Sequence, residues 1–99
     1  MSNEYCGKTT RLMKKRDLVS YYVLCLEEGR VWNIGEAIDE LVSKVGLTRR
    51  IAYSVLRRFR RTGLIVKTND LEYRCYGFLK YIEDLYRSYV CRKKRLTKS

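Results

Sequence analysis

Hydrophobic residues recur every three or four positions in four segments of the chain, and glycines separate these segments from one another. This spacing predicts four helices, at about residues 12–28, 34–45, 48–62 and 78–90. The second helix has the clearest pattern, a single apolar stripe formed by Ile34, Ala37, Ile38, Leu41, Val42 and Val45. Asn33 and Thr48 are favourable N-cap residues for the second and third helices.

Short β-prone runs lie between the predicted helices. "RVWN" at 30–33 is one such run, and "LIVKT" and "EYRCY" within 64–76 are predicted to form a hairpin around the turn "NDL". With 99 residues, we predict a single small domain of the α+β class, mainly α with a small β-hairpin and an added C-terminal helix. Residues 1–10 are predicted to be a flexible N-terminus, and residues 91–99 a basic, disordered tail.

The order of these elements, with a tight glycine-containing turn between the second and third helices, resembles the winged helix-turn-helix family over about residues 15–77. The resemblance is carried by the apolar stripe and by the segments "VGLT", "RRIAYSVLRRFRRTGLI" and "LIVKTNDLEYRCY". The chain looks most like the small regulators of archaea and of their viruses and plasmids. This resemblance implies that the third helix recognises DNA and that the hairpin is the wing.

Positive charge is concentrated in the second half of the chain. The sequence has 22 Lys and Arg against 11 Asp and Glu, a formal charge of +11. Residues 1–48 have no net charge, so the excess lies in residues 49–99. Such asymmetry favours a polyanionic partner such as a nucleic acid. The abundance of charged residues with few amides is also typical of thermophile proteins.

The third predicted helix has two unlike faces. One face is expected to pack on the core through Ala52, Val55, Leu56 and Phe59. The opposite face carries Arg50, Ser54, Arg57 and Arg61, and residues 48–62 contain no acid. Like charges along a helix repel one another, whereas an anionic partner would make the same charges stabilising. Because arginine also fits phosphate and the guanine edge, the pattern favours insertion of this helix into the DNA major groove.

The family resemblance implies roles for individual residues. Residues near the start of a recognition helix reach base edges, which selects as base-reading candidates Arg49, Arg50, Tyr53, Ser54 and Arg57. The phosphate-contact candidates comprise the N-cap, the rest of the helix, two hairpin residues and three tail residues: Thr48, Arg58, Arg60, Arg61, Lys67, Arg74, Lys93, Lys94 and Arg95. The tail residues are included for their charge.

These patterns predict a sequence-specific double-stranded DNA-binding protein that regulates transcription. The alternative, favoured by the arginine density, is an architectural protein that coats or compacts duplex DNA without sequence preference. RNA binding ranks third, because the sheet of stacking aromatic residues that it usually needs is absent from the pattern. Catalysis and cofactor binding are not expected, because the chain lacks histidine, a glycine-rich phosphate loop and a metal-ligand cluster. No export signal or membrane span is recognised, so we expect a cytoplasmic protein associated with DNA.

The last predicted helix has more apolar surface than a small core needs. Heptad a/d spacing is followed by Leu79, Ile82, Tyr86 and Tyr89. A second, overlapping stripe consists of Phe78, Ile82, Leu85 and Tyr89. We interpret the first stripe as the interface of a homodimer; the alternative is that both stripes cover the core.

Four cysteines are widely spaced along the chain, at Cys6, Cys25, Cys75 and Cys91. Without a C-x-x-C pair or a histidine, this spacing does not predict a zinc site or any other metal site. We expect Cys25 and Cys75 to be small buried core residues, and Cys6 and Cys91 to be accessible thiols in the flanks. Disulfides are the alternative, since intracellular proteins of hyperthermophiles do contain them.

Overall fold

A computed structural model describes residues 10–97 of the chain, with side chains described from 10 to 93. Within this range the chain forms α1 (Lys15–Cys25), β1 (Val31–Asn33), α2 (Ile34–Lys44), α3 (Arg49–Arg61), β2 (Ile65–Asn69), β3 (Glu72–Cys75) and α4 (Phe78–Thr97). The predicted α+β class is therefore confirmed: the described chain is mainly helical and has a small antiparallel sheet. The predicted flexible N-terminus, residues 1–10, lies outside the described residues except for Thr10, whose N–H donates to the Ser88 hydroxyl.

The sheet has three strands in the order β1–β3–β2, so the hairpin gains a third strand that precedes it in the chain by more than thirty residues. In the register, Trp32 of β1 lies opposite Tyr73, and Ile65 of β2 lies opposite Cys75. Alternation along β3 buries Tyr73 and Cys75 and directs Arg74 to solvent. The indole N–H of Trp32 donates to the Leu24 carbonyl at 2.6 Å, which fixes β1 against the end of α1.

Tyr21 lies at the centre of the core and links its layers. Its ring is fully buried and meets the Phe59 ring edge-on, with the centroids 5.0 Å apart. Its hydroxyl donates to the Leu64 carbonyl at 2.7 Å and accepts from the Gly77 N–H at 3.0 Å. Burial raises the pKa of Tyr21 to about 12. One side chain thus connects α1, α3 and both ends of the hairpin.

The two central cysteines form a disulfide, which corrects the expectation of core thiols. Cys25 at the end of α1 is bonded to Cys75 at the end of β3, and both residues are buried. Cys91 is also disulfide-bonded, so the prediction that it is an accessible thiol is wrong. No free thiol is found in the part of the chain that the structure describes. The expectation for Cys6 lies outside the described residues.

Helix α4 is longer than its pattern predicted. It continues to Thr97, seven residues beyond the expected end at Val90, so the basic segment 91–97 is helical and not a disordered arm. Lysine and arginine are good helix formers, and positive charge is favourable near a helix C-terminus. No glycine or proline interrupts the helix after Gly77.

The inner side of α4 is covered by α1 and by residues 10–13, which precede α1. The Tyr81 hydroxyl donates to the Arg11 carbonyl and accepts from the Met13 N–H, both at 2.8 Å. The Ser88 hydroxyl accepts from the Thr10 N–H at 3.0 Å. The two predicted apolar stripes therefore differ in burial. Phe78, from the second stripe, is partly buried against the core, whereas the residues of the a/d stripe face outward.

Candidate functional site

Helix α3 is held firmly at both ends and along one face. Thr48 caps it, its hydroxyl accepting from the Ile51 N–H at 3.2 Å, as the sequence predicted. The four residues predicted to face the core are all buried: Ala52, Val55, Leu56 and Phe59. Gly63 has a φ of +83°, and the following Leu64 N–H donates to the Phe59 carbonyl at 2.8 Å. This glycine turn closes the helix and starts the hairpin directly behind it.

Helix α2 and a four-residue turn set the position of α3. The side chain of Asn33 caps α2 by accepting from the Gly35 N–H at 2.9 Å. At the other end Gly46 has a φ of +85°, which a residue with a side chain rarely adopts. Arg49 then reaches back to Asp39, with Nη1 and Oδ1 2.7 Å apart. Both partners are about two-thirds exposed, so this ion pair is weak and exchangeable.

The outward face of α3 is a basic surface, which we call the α3 surface. Its exposed residues are Arg50, Tyr53, Ser54, Arg57, Arg60 and Arg61. The guanidinium carbon of Arg57 lies 5.9 Å from the centre of the Tyr53 ring, at the outer limit of a cation–π contact. Of the arginines in α3, four have no acidic partner within the described residues: Arg50, Arg57, Arg60 and Arg61. The helix itself supplies no acid, so their charge is not compensated locally.

Arg58 differs from its neighbours on the helix. It turns toward α1 and binds the Asp17 carboxylate with two hydrogen bonds, from Nε and from Nη2, both 2.9 Å long. The Asp17 side chain is 13% exposed, so this is a partly buried, bidentate pair. The hydrogen bond to Asp17 raises the pKa of Arg58 above its usual value. Arg58 therefore fastens α3 to α1, and we do not count it in the α3 surface, although the sequence proposed it as a phosphate contact.

The two hairpin candidates are not brought together. Lys67 lies opposite Tyr73 in the register and Arg74 is the next residue along β3, so their side chains leave opposite faces of the hairpin. The Lys67 ammonium is 3.8 Å from Asp70, a fully exposed carboxylate at the hairpin turn. Arg74 is exposed on the outer face of the sheet. The hairpin thus carries one positive charge on each face and an acid at its tip.

The tail candidates lie in the last turns of α4. The side chain of Lys93 is exposed, and its ammonium lies 5.6 Å from the centre of the Tyr89 ring. The side chains of Lys94 and Arg95 lie outside the part described. Because the backbone here is helical, these basic residues belong to α4 and not to a flexible arm.

A groove of about 750 Å³ runs between the C-terminal end of α3, the start of α1 and the inner side of α4. Two pairs of its polar side chains are joined to each other: Arg58 binds Asp17, and the Tyr76 hydroxyl donates to Asp84 at 2.7 Å. That hydrogen bond raises the pKa of Tyr76. No buried side-chain N or O atom among the described residues lacks a hydrogen-bond partner.

No group of three or more Cys, Asp or Glu side chains among the described residues is arranged to hold a metal ion. None of the described helices is both long enough and apolar enough to cross a membrane. The chain matches no protein-family model, no curated protein and no solved structure. The α3 surface is therefore the strongest candidate site, and its chemistry is that of an anion-binding surface.

Proposed function

We propose that this chain is a sequence-specific double-stranded DNA-binding protein of the winged helix-turn-helix kind, and that it regulates transcription. In this proposal α2, the turn and α3 form the helix-turn-helix, α3 enters the major groove, and the β2–β3 hairpin is the wing. The observation that carries the proposal is the α3 surface: four exposed arginines without acidic partners in the described chain, on a helix whose other face is buried.

The dimensions of α3 suit the major groove. An α-helix fits this groove, and there each base pair presents a distinct pattern of donors and acceptors. Arg50 and Arg57 are seven residues apart, so they are separated by about 10 Å along the helix axis, or roughly three base-pair steps of 3.4 Å. Tyr53 and Ser54 lie between them on the same surface. The proposal therefore assigns a short run of base pairs, about four, to direct reading by each copy of α3.

Arginine is suited to this reading because its planar fork can make two hydrogen bonds to the O6 and N7 atoms of guanine. We propose that Arg50 and Arg57 take this role, with Arg49 also near the bases. Its pair with the exposed Asp39 is weak enough to be exchanged for a contact with DNA. Arg60 and Arg61 lie at the C-terminal end of α3 and are assigned to phosphates.

The contacts outside α3 are assigned to the phosphate backbone. Thr48 stands at the N-terminus of α3, where backbone N–H groups and the helix dipole favour a phosphate. Lys67 and Arg74 lie on opposite faces of the hairpin, so we propose that only one of them contacts the duplex that α3 occupies. The acidic turn at Asp70 is unfavourable for deep insertion into the minor groove.

The experiment compares two duplexes: the best-bound sequence from a random pool and a random duplex of equal length. Replacing Arg57 by Ala should cost about 1–3 kcal/mol on the selected sequence and much less on the random duplex. The matched control is Arg87→Ala, which removes an exposed arginine from α4. It should leave the ratio of the two affinities unchanged.

The architectural alternative predicts a different result from the same measurement. If α3 contacts phosphates without reading bases, Arg57→Ala will lower both affinities by the same factor and leave their ratio near one. That outcome would replace the regulator with a protein that coats duplex DNA. Absence of any DNA binding at low salt would contradict both proposals.

A further inference from the structure

The outer face of α4 carries an apolar stripe that nothing in the described chain covers. It consists of Leu79, Ile82, Tyr86 and Tyr89, spaced i, i+3, i+7 and i+10 as in the a and d positions of a coiled coil. Leu79 is 75% exposed, Tyr86 64% and Tyr89 60%. The inner side of the same helix is already occupied by α1 and by residues 10–13. Within the described chain, the core is therefore covered without the stripe.

Helix α1 extends this surface sideways. The ring of Tyr22 packs edge-on against Phe78, the first residue of α4, with the centroids 5.7 Å apart. Tyr22 is itself half exposed, as are Val19 and Leu26 on the same side of α1. The three exposed tyrosines alone present roughly 350 Å², taking about 200 Å² for a whole side chain. A standard interface buries about 800 Å² per partner, so this surface with its aliphatic neighbours is of the right size for a dimer.

The charges along α4 are unevenly distributed, and this decides which partner and which orientation fit. Residues 78–86 contain one basic residue and two acids, whereas residues 87–97 contain five basic residues and no acid. In a parallel pair, the two strongly basic halves would lie about 8–10 Å apart, within a Debye length of about 10 Å at 0.1 M salt. In an antiparallel pair centred on the stripe, the basic clusters at 92–95 lie at opposite ends of the interface, more than about 20 Å apart along the helix axis and therefore beyond a Debye length.

We propose that two copies of this chain associate through the stripe of α4, with the two helices antiparallel. Tyr22 and its neighbours on α1 form the edge of the interface. The two-fold axis crosses α4 at right angles, so the same surface of each copy is used and the assembly closes as a dimer. The two α3 surfaces are then related by two-fold symmetry, which suits an inverted repeat. The association does not depend on DNA, and it is tested without DNA.

The first test is sedimentation of the full chain at micromolar concentration. The dimer should have twice the chain mass of 11.9 kDa. Tyr86→Arg should give a monomer with an unchanged circular dichroism spectrum, because this side chain is largely exposed and is not part of the core cluster. Val66→Arg adds the same charge at an exposed position of β2 and should remain dimeric. A monomeric wild-type chain, or a Tyr86→Arg variant that stays dimeric, overturns the proposal and leaves the DNA-binding proposal standing.

The second test measures the relative orientation of the two α4 helices. A nitroxide label is carried on an unnatural amino acid at Lys80 or at Arg92, so that the disulfides are untouched, and distances between copies are measured by electron paramagnetic resonance. The two positions are 12 residues apart, about 18 Å along the helix. In an antiparallel pair at least one of the two label distances must exceed about 18 Å, whatever the register. Two equally short distances, near the 8–10 Å helix spacing, would show a parallel pair and overturn the antiparallel arrangement.

Discussion

Arg57 and Arg58 are adjacent in the sequence, yet the structure gives them opposite tasks, and this contrast makes a sharp prediction. Arg58→Ala removes two charge-assisted hydrogen bonds from a carboxylate that is 13% exposed. The nearest remaining cation is Arg16, whose Nε lies 3.7 Å from Asp17. Arg57→Ala removes a side chain that lies near the exposed ring of Tyr53 and forms no ion pair within the described chain. Stability should therefore depend on Arg58, and DNA binding on Arg57.

The size of the stability loss follows from the geometry. Breaking a fully buried ion pair costs about 3–5 kcal/mol, and a hydrogen bond to a charged group contributes about 1.5–3 kcal/mol. Because the Arg58 side chain is 35% exposed, the lower part of this range applies, and we expect a loss of about 2 kcal/mol. In a domain of this size that loss lowers the Tm by roughly 10 °C. Arg57→Ala should change the free energy of unfolding by less than about 0.5 kcal/mol.

The assay is denaturant unfolding of both single variants, of Asp17→Ala and of the double variant Asp17→Ala/Arg58→Ala. The double variant should be more stable than the sum of the two single losses predicts, because it leaves no unpaired charge. Equal stability of the Arg57 and Arg58 variants would refute the assignment. The assignment would also be refuted if the Arg58 variant lost its preference for the selected DNA sequence while the Arg57 variant kept it.

Three further predictions concern the disulfide, the central tyrosine and the end of α4. Replacing Cys25 and Cys75 by Ala opens a covalent link across 50 residues and should lower the free energy of unfolding by about 4 kcal/mol, measured by denaturant titration. The pKa of Tyr21 is raised to about 12 from an ordinary value of 10.0, so the folded state is favoured while the phenol is neutral. This stabilisation is complete below pH 10 and should be lost as the pH rises through 12. A Tyr21→Phe variant should lack that loss in an alkaline unfolding series, although it is less stable at neutral pH. Replacing the three basic residues at 93–95 by Ala should weaken binding to selected and random duplexes by the same factor and should flatten the salt dependence; a change in the affinity ratio would contradict a backbone role.

Local signals predicted the part of the chain that presents the α3 surface. The caps at Asn33 and Thr48, the apolar stripe of α2 and the four buried residues of α3 all depend on spacing within one helix or on the residue beside it. The hairpin is equally local, because its two strands are separated by a short turn. Because these features are determined by residues close together in the sequence, local patterns were sufficient to predict them.

Apart from the helical end of α4, the features that the sequence did not predict depend on residues far apart in the chain. Arg58 binds an acid 41 residues away, and the partner of Cys25 is 50 residues away. The pairing of β1 with β3 joins Trp32 to Tyr73 and is likewise non-local. Helical spacing places Arg58 beside the apolar face of α3, and this could have suggested an inward partner, but not which acid. The helical end of α4 is a local feature with two opposing signals: a run of like charges is typical of a disordered tail, whereas the absence of glycine and proline lets the helix continue.

The central claim is that the α3 surface reads the sequence of duplex DNA, and selection of bound sequences from a random duplex pool tests it most directly. We expect enrichment of an inverted repeat whose half-sites contain guanine and are centred about 10 bp apart. The selected sequence should bind roughly 10³-fold more tightly than random duplex at the same salt concentration. Tight binding without an enriched sequence, or an enriched sequence that Arg57→Ala leaves unchanged, would contradict the claim.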